Sequence, residues 1–319
     1  MYKRQHLVCP SDTPYYHVTS RCVRRAFLCG VDRYSGKSYE HRRGWIEDRV
    51  RVLSSLFSIQ LCAYAVMSNH YHLVVKLCPG ESRLWSDDEV LARWASLFKG
   101  PLLVQRHRAG ESLSDPERET LRDLAGVYRR RLASLSWFMK CLNEPIARRA
   151  NTEDRCTGHF WEARFHSQSL RSERALLTAM AYVDLNPVRA KLAGTPEQSY
   201  YTSIRARILG DKSRVIRHAV TRLIECRELR DFEAPIRSLM PFADTAESST
   251  GVQPEDVLPI RASHYLELVD KTGRIARTGE SGHMDPSLVP VLKRLGLSAE
   301  QWTIACISFK DHNLMVPTQ

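Results

Sequence analysis

The sequence predicts an α+β protein built on a ferredoxin-like antiparallel sheet, with a helical insertion and a mainly helical C-terminal extension. Three observations lead to this fold class. Short β-branched and aromatic runs alternate with helical stripes, their order is strand, helix, strand, strand, helix, strand, helix, and a helical region interrupts that order. The order is typical of the split β-α-β arrangement, and we expect the helices on one face of the sheet.

The first part of the predicted sheet contains three strands and one helix. Residues 15–20 (YYHVTS) are β-branched and aromatic, which favours a strand. Residues 45–57 repeat apolar side chains at spacings of three and four, as an amphipathic helix does. Strands are predicted at 58–67 and 70–77, and the two polar residues between them form a tight turn.

The second part contains the insertion and two longer helices. Within 79–132, the stretches SDDEV and SDPERE each supply an N-cap and an acidic first turn, so this insertion is predicted to be helical. A helix follows, which we expect Pro145 to end or kink. After an extended segment at 160–170, Ser172 caps a final helix that we expect Pro187 to stop.

The predicted domain division follows from these elements. Residues 1–207 form the main domain, and 208–240 form a basic helical extension. Residues 241–256 are polar and are predicted to be a flexible linker. Residues 257–319 then form a small C-terminal module of unknown role.

The composition indicates a cytoplasmic protein without a membrane partner. No apolar stretch reaches the roughly 20 residues that span a bilayer, and the start of the sequence lacks a secretory signal. The nine cysteines of this 319-residue chain form no C-x-x-C pair. We therefore expect reduced thiols rather than a disulfide framework or a zinc cluster.

The charge indicates a polyanionic partner. The formal net charge is +11, and much of the excess comes from arginines that occur in groups, such as residues 129–131 and 148–149. The planar guanidinium suits phosphate, and a positive field speeds the encounter with nucleic acid. A basic surface without a partner is the open alternative.

Two histidines one residue apart begin the apolar run in MSNHYHLVVK. The 12 histidines of the chain give about 0.45 such triplets by chance, so the triplet alone is weak evidence. On a strand, however, His70 and His72 project from the same face, where two imidazoles can bind one divalent metal if an oxygen ligand completes the site. Solvent-facing strand histidines are the alternative.

The stretch YVDLNP offers that oxygen ligand. Tyr182 and Asn186 are four residues apart and share one face of the predicted final helix. If this helix packs against the histidine face, Asn186 supplies an oxygen ligand and Tyr182 points its phenol at the metal, where it can attack a phosphodiester. The alternatives are a core tyrosine and an asparagine that only ends the helix.

Three ordered segments, MSNHYHLVV, GHFWEARFHSQSL and AYVDLNPVRAKL, resemble the signature segments of the single-tyrosine HUH transposases of insertion sequences (IS200-like transposases). The resemblance is greatest to the REP-associated tyrosine transposases of bacteria and covers about residues 15–207. It implies the HUH endonuclease fold, with Mg²⁺ or Mn²⁺ as the working ion. The implied nucleophile is Tyr182, and the implied metal ligands are His70, His72 and Asn186.

The implied activity is that of a metal-dependent endonuclease and strand transferase for single-stranded DNA. Such an enzyme cuts at palindromic hairpins, leaves a 5′-phosphotyrosine and transfers the strand. Relatives differ in oligomeric state, so whether this protein forms a homodimer stays open. The expected DNA contacts are Arg129, Arg130, Arg131, Arg148, Arg149, Trp161 and Arg164. Tyr71, where the family often has an aliphatic residue, is expected to face away from the metal.

Two other functions stay open. The first is a non-cleaving protein, derived from a transposase, that binds palindromic DNA or structured RNA. The second is a zinc phosphodiesterase of another class, against which the missing H-E-x-x-H motif argues.

Overall fold

The computed structural model of the chain describes residues 12–23, 28–32, 36–208, 237–246 and 254–275. The strands are β1 (Tyr15–Arg21), β2 (Ile59–Val66), β3 (His70–Leu77) and β4 (His166–Ser169). The α-helices are α1 (His41–Leu56), α2 (Pro79–Leu84), α3 (Asp87–Ala95), α4 (Leu102–Arg108), α5 (Asp115–Leu132), α6 (Leu135–Glu153), α7 (Glu173–Arg189), α8 (Ser203–Ile208), α9 (Ala243–Ala246) and α10 (Ala262–Arg274). Among these described elements, none is a helix both long and apolar enough to cross a bilayer.

The four strands form one antiparallel sheet in the order β2-β3-β1-β4. The central strand β1 pairs with β3 on one side and β4 on the other, so that Thr19 lies opposite both His72 and His166. The predicted α+β class with an antiparallel sheet is confirmed.

Helices cover both faces of this sheet, so the prediction that they lie on one face is wrong. Tyr71 and Leu73 belong to a core with α1 and α6, whereas Val74 belongs to a second core with α7 and α10. The physical reason is that β2 and β3 are buried along nearly their whole length. A strand that is apolar on both faces needs a layer of packing on each.

Two helices continue past prolines, of which Pro145 was expected to end or kink its helix and Pro187 to stop its helix. α6 extends across Pro145 to Glu153. Proline has no N–H for the carbonyl of Cys141, and Nε of Arg49 donates to that oxygen at 2.6 Å instead. α7 likewise continues two residues past Pro187.

Helices α2 to α5 occupy the predicted insertion. Ser86 caps α3 by accepting from the N–H of Glu89, and Ser114 forms a capping box with Glu117 at the start of α5. All the described regular elements of the insertion are helices, as the capping signals predict.

The described residues near the C-terminal end of the chain pack against the sheet. The N–H of Met240 donates to the carbonyl of Leu61 at 2.9 Å, beside β2. Phe242 and Leu258 are buried in the core that contains α7. Within the predicted linker at 241–256, Phe242 is buried at one described end, and Asp256 pairs with Nζ of Lys76 at 2.9 Å at the other. Both described ends therefore contact the rest of the protein, and the domain boundaries stay predictions. The predicted basic extension and the end of the C-terminal module lie largely outside the described residues.

Asp184 joins α7 to two later helices. Its fully buried carboxylate accepts hydrogen bonds from Ser203 Oγ, from the N–H of Ile204 at 2.9 Å and from Tyr265 Oη at 2.6 Å. Burial raises the pKa of this carboxyl, and the three donors oppose that rise. The hydrogen bonds fix α7 relative to α8 and α10.

Candidate active site

His70 and His72 lie at the start of β3, on the sheet face that α7 covers. Side chains alternate along a strand, so both project on the same side as Val74, which packs with α7. Tyr71 belongs to the opposite core, as predicted. The histidine pair therefore faces the helix that carries Tyr182 and Asn186.

The turn before β3 fixes the orientation of the first histidine. Arg43 donates to the carbonyl of Val66 at 2.9 Å and to Ser68 Oγ at 3.2 Å. Nδ1 of His70 lies 2.6 Å from Oδ1 of Asn69. An amide oxygen only accepts, so Nδ1 of His70 is the donor and the lone pair of this imidazole is on Nε2.

His72 makes one contact through each ring nitrogen. Its Nδ1 lies 3.0 Å from Nε2 of His17 in β1, and its Nε2 lies 3.3 Å from Nδ2 of Asn186 in α7. The rings of His17 and His72 are nearly parallel, at 11° with 5.2 Å between their centres. The second histidine is thus held between a strand neighbour and the helix.

Tyr182 lies against the same imidazoles. α7 begins where Ser172 accepts from the N–H of Ala175, and three turns later it places the tyrosine ring 5.6 Å from the ring centre of His72 and 6.2 Å from that of His17. Both contacts are edge-on, at 88° and 85°. The tyrosine is 6% exposed, so only a narrow part of it reaches the surface.

His17 also belongs to this cluster and was not predicted from the sequence. Residues 15–20 were correctly predicted to be a strand, and a ferredoxin-like order places the first strand beside the third. A histidine on that strand with an inward-facing side chain was the sequence signal that could have identified His17 as a member of the cluster. The pair of histidines, Tyr182 and Asn186 are brought together in one chain, and their catalytic and metal-binding roles remain predictions.

Burial keeps the imidazoles of the cluster neutral. It lowers the pKa of His17 to about 3, with smaller contributions from His166 and His70. It lowers the pKa of His70 to about 4, helped by Arg21, and lowers the pKa of His72 well below its usual value. Neutral imidazoles have the lone pairs that metal binding requires.

Two imidazoles and one amide are the groups of this cluster that could hold a metal ion. In the part of the chain that the structure describes, no three histidine, cysteine, aspartate or glutamate side chains are grouped to hold a metal. Any ion here would therefore depend on the His70 and His72 imidazoles and on the Asn186 amide. Imidazole nitrogens are common ligands of transition metals, whereas Mg²⁺ is held mainly by oxygens, and the binding of Mg²⁺ or Mn²⁺ stays a prediction.

Two of the arginines predicted to contact DNA make contacts with other residues of the protein. Arg129 donates to the carbonyls of Ser82 and Trp85, both at 2.6 Å, and pairs with Asp87 at 2.7 Å. Arg131 lies 4.4 Å from the ring centre of Trp137 and also covers Trp94 and Tyr128. These contacts give both guanidinium groups a role in packing.

The other predicted DNA contacts are more accessible. Arg130, Arg148 and Arg164 are exposed. Arg149 lies 3.9 Å above the ring of Trp45. Trp161 is half-buried and donates through Nε1 to the carbonyl of Asn143 at 2.9 Å. Arg148 pairs with Glu144 at 3.0 Å on the surface. Exposed guanidinium groups are accessible to phosphates, and this favours Arg130, Arg148 and Arg164 among the predicted set.

Comparisons with known proteins give little further information. No protein-family model matches the chain, and no curated protein matches it. A solved structure of a REP-associated tyrosine transposase bound to a REP hairpin matches with a TM-score of 0.37 and 10% sequence identity, over 75% of this chain and 99% of that one. A similarity of this extent carries no argument about function.

Proposed function

We propose that the protein is a metal-dependent endonuclease and strand transferase, a transposase that acts on hairpins of single-stranded DNA through a 5′-phosphotyrosine intermediate. One observation carries the proposal. Tyr182 lies 5.6 Å, ring centre to ring centre, from His72, whose Nε2 is 3.3 Å from Asn186, and His70 projects from the same strand face. A phenol beside a mixed imidazole and amide site is suited to phosphodiester chemistry.

In the proposed reaction, the phenol of Tyr182 gives its proton to water, and its oxygen attacks the scissile phosphorus. The new bond joins that oxygen to phosphorus, the bond from phosphorus to the 3′ oxygen breaks, and the departing oxygen takes up a proton to become a 3′-hydroxyl. An ion bound by His70, His72 and Asn186 would polarise the phosphate and stabilise its added negative charge. Attack by a hydroxyl on the phosphotyrosine then reverses these steps on a new strand.

The proposed nucleophile works in cis. Tyr182 and the histidine pair meet within one chain, so the site needs no side chain from a second copy. The hydrogen bonds of Asp184 fix the tyrosine helix to α8 and α10 of the same chain. A homodimer is compatible with this site and is not required for the chemistry.

The proposed substrate is the hairpin of a palindromic element. The net charge of +11 favours a polyanion. Arg21 is exposed and lies close enough to His70 to lower the pKa of that imidazole. We assign the exposed Arg164 to the same binding surface, because the N–H of the nearby Glu162 donates to the carbonyl of Arg21 at 2.9 Å. Arg148 is exposed on α6 and stays a predicted DNA contact.

A non-cleaving protein that binds palindromic DNA or RNA is the alternative. The observation in its favour is the burial of Tyr182, which is 6% exposed, because a strand must reach the phenol before it can be cut. Binding without cleavage needs only the basic surface.

The deciding experiment uses labelled single-stranded hairpins from the DNA that flanks the gene of this protein. We expect a denaturation-resistant protein–DNA adduct with Mn²⁺ and none with chelator. Tyr182→Phe should abolish the adduct and keep hairpin binding, whereas the control Tyr71→Phe, on the opposite face of the sheet, should keep both. Metal-independent binding without any adduct in the wild type would support the alternative.

A further inference from the structure

The two candidate ligand histidines are held in the same way. Nδ1 of His70 has an acceptor at 2.6 Å in the Oδ1 of Asn69, and Nδ1 of His72 has a neighbour at 3.0 Å in the Nε2 of His17. Metal-binding histidines commonly donate one ring N–H to such a neighbour, which fixes the tautomer and the ring orientation. In both histidines, Nε2 is therefore the ring nitrogen that can bind the metal.

The position of the proton between His17 and His72 follows from the third contact. Nδ2 of Asn186, a donor, lies 3.3 Å from Nε2 of His72. If His72 carried its proton on Nε2, two donors would face each other there. The proton therefore belongs on Nδ1 of His72 and is donated to Nε2 of His17.

The position of His17 holds its Nε2 where it can accept this proton. It lies in the central strand, where it pairs with Val74 on one side and Gln168 on the other. Its side chain is fully buried, so no bulk water competes for Nε2. It also contacts the ring of Tyr182 edge-on at 6.2 Å, so one side chain touches both the histidine and the proposed nucleophile.

We infer that His17 is a positioning residue, which accepts the Nδ1 proton of His72 and thereby directs the Nε2 lone pair of His72 toward Asn186 and the proposed metal. This inference rests on the proposed function for the identity of the ion, but the tautomer itself does not depend on any bound metal. In the metal-bound state the Asn186 amide would be turned over, so that its oxygen and the Nε2 lone pair of His72 both point at the ion.

The first test is nitrogen NMR of the metal-free full chain labelled with ¹⁵N-histidine. We expect His72 as the Nδ1–H tautomer in the wild type and a shift to Nε2–H in His17→Ala. His17→Gln, whose amide oxygen can accept the same proton, should restore Nδ1–H. An Nε2–H tautomer of His72 in the wild type would overturn the inference without any variant having to fold.

The second test is Mn²⁺ affinity, measured by calorimetry without DNA. We expect His17→Ala to bind Mn²⁺ about 10- to 100-fold more weakly, and His17→Gln to recover most of the loss. The matched control is His159→Ala, which removes an exposed histidine in a loop. Mn²⁺ affinity equal to wild type in a folded His17→Ala protein would contradict the positioning role. A wild type with the Nδ1–H tautomer but no Mn²⁺ binding would instead refute the metal dependence of the proposed function and leave the hydrogen bond standing.

Discussion

His72 and Asn186 are 114 residues apart in the sequence, yet Nε2 of the first lies 3.3 Å from Nδ2 of the second. The contact joins the face of β3 to the last turn of α7 and completes the set of groups proposed to bind the metal. We expect Asn186→Ala to weaken Mn²⁺ binding at least about tenfold, because an oxygen ligand is lost. Calorimetry measures this directly. Unchanged affinity would remove Asn186 from the ligand set.

The arginines differ in what their replacement should do. Arg129 is bound to two carbonyls and to Asp87, so Arg129→Ala should lower the free energy of unfolding by about 1–3 kcal/mol with little effect on DNA affinity. Arg148→Ala and Arg164→Ala remove exposed side chains and should weaken hairpin binding with little loss of stability. Each should also reduce the salt dependence of binding by about one phosphate contact. Denaturant unfolding and binding titrations at several salt concentrations test both statements, and DNA binding that falls only for Arg129→Ala would contradict them.

Asp184 and Tyr265 couple the tyrosine helix to the C-terminal part of the described chain. Tyr265→Phe removes the donor at 2.6 Å from a fully buried carboxylate, and we expect it to cost about 1–3 kcal/mol of unfolding free energy. Tyr200→Phe, at a tyrosine that is 62% exposed, should be nearly neutral. Equal denaturation midpoints for the two variants would mean that the hydrogen bond to Asp184 contributes nothing.

The histidine cluster makes the metal-free protein sensitive to acid. The pKa values of His17 and His70 are lowered to about 3 and about 4 in the folded chain, so the unfolded chain binds more protons below its ordinary histidine pKa. Stability should therefore fall as pH drops from about 6.5 toward 4, by up to about 1.4 kcal/mol per pH unit for each of these groups. The charges of His166 and Arg21 also lower the pKa values of His17 and His70, respectively. Unfolding in chelator between pH 7 and pH 4.5 measures the slope, which His17→Gln should reduce; an equal slope in both proteins would contradict the assignment.

Local patterns in the sequence predicted the strands and the side-chain faces well. Alternation along β3 placed Tyr71 opposite the two histidines, and the structure agrees. Capping signals predicted helices in the insertion, and Ser172 was correctly identified as the cap of α7.

Other features depend on contacts that a local pattern does not contain. α6 continues through Pro145 because Arg49, from another helix, uses the carbonyl that proline leaves without a partner. His17 joins the site because β1 and β3 are neighbours, which is a property of the sheet order. The helices on the α7 face of the sheet likewise depend on contacts between distant residues, such as the hydrogen bond from Tyr265 to Asp184.

The most direct test of the central claim is to identify the residue that carries the DNA. Wild-type protein is reacted with a hairpin oligonucleotide and Mn²⁺, digested with nuclease and protease, and analysed by tandem mass spectrometry for a peptide that bears a nucleotide. We expect the modification on Tyr182 and on no other tyrosine. A nucleotide on a different residue, or cleavage without any modified peptide, would contradict it.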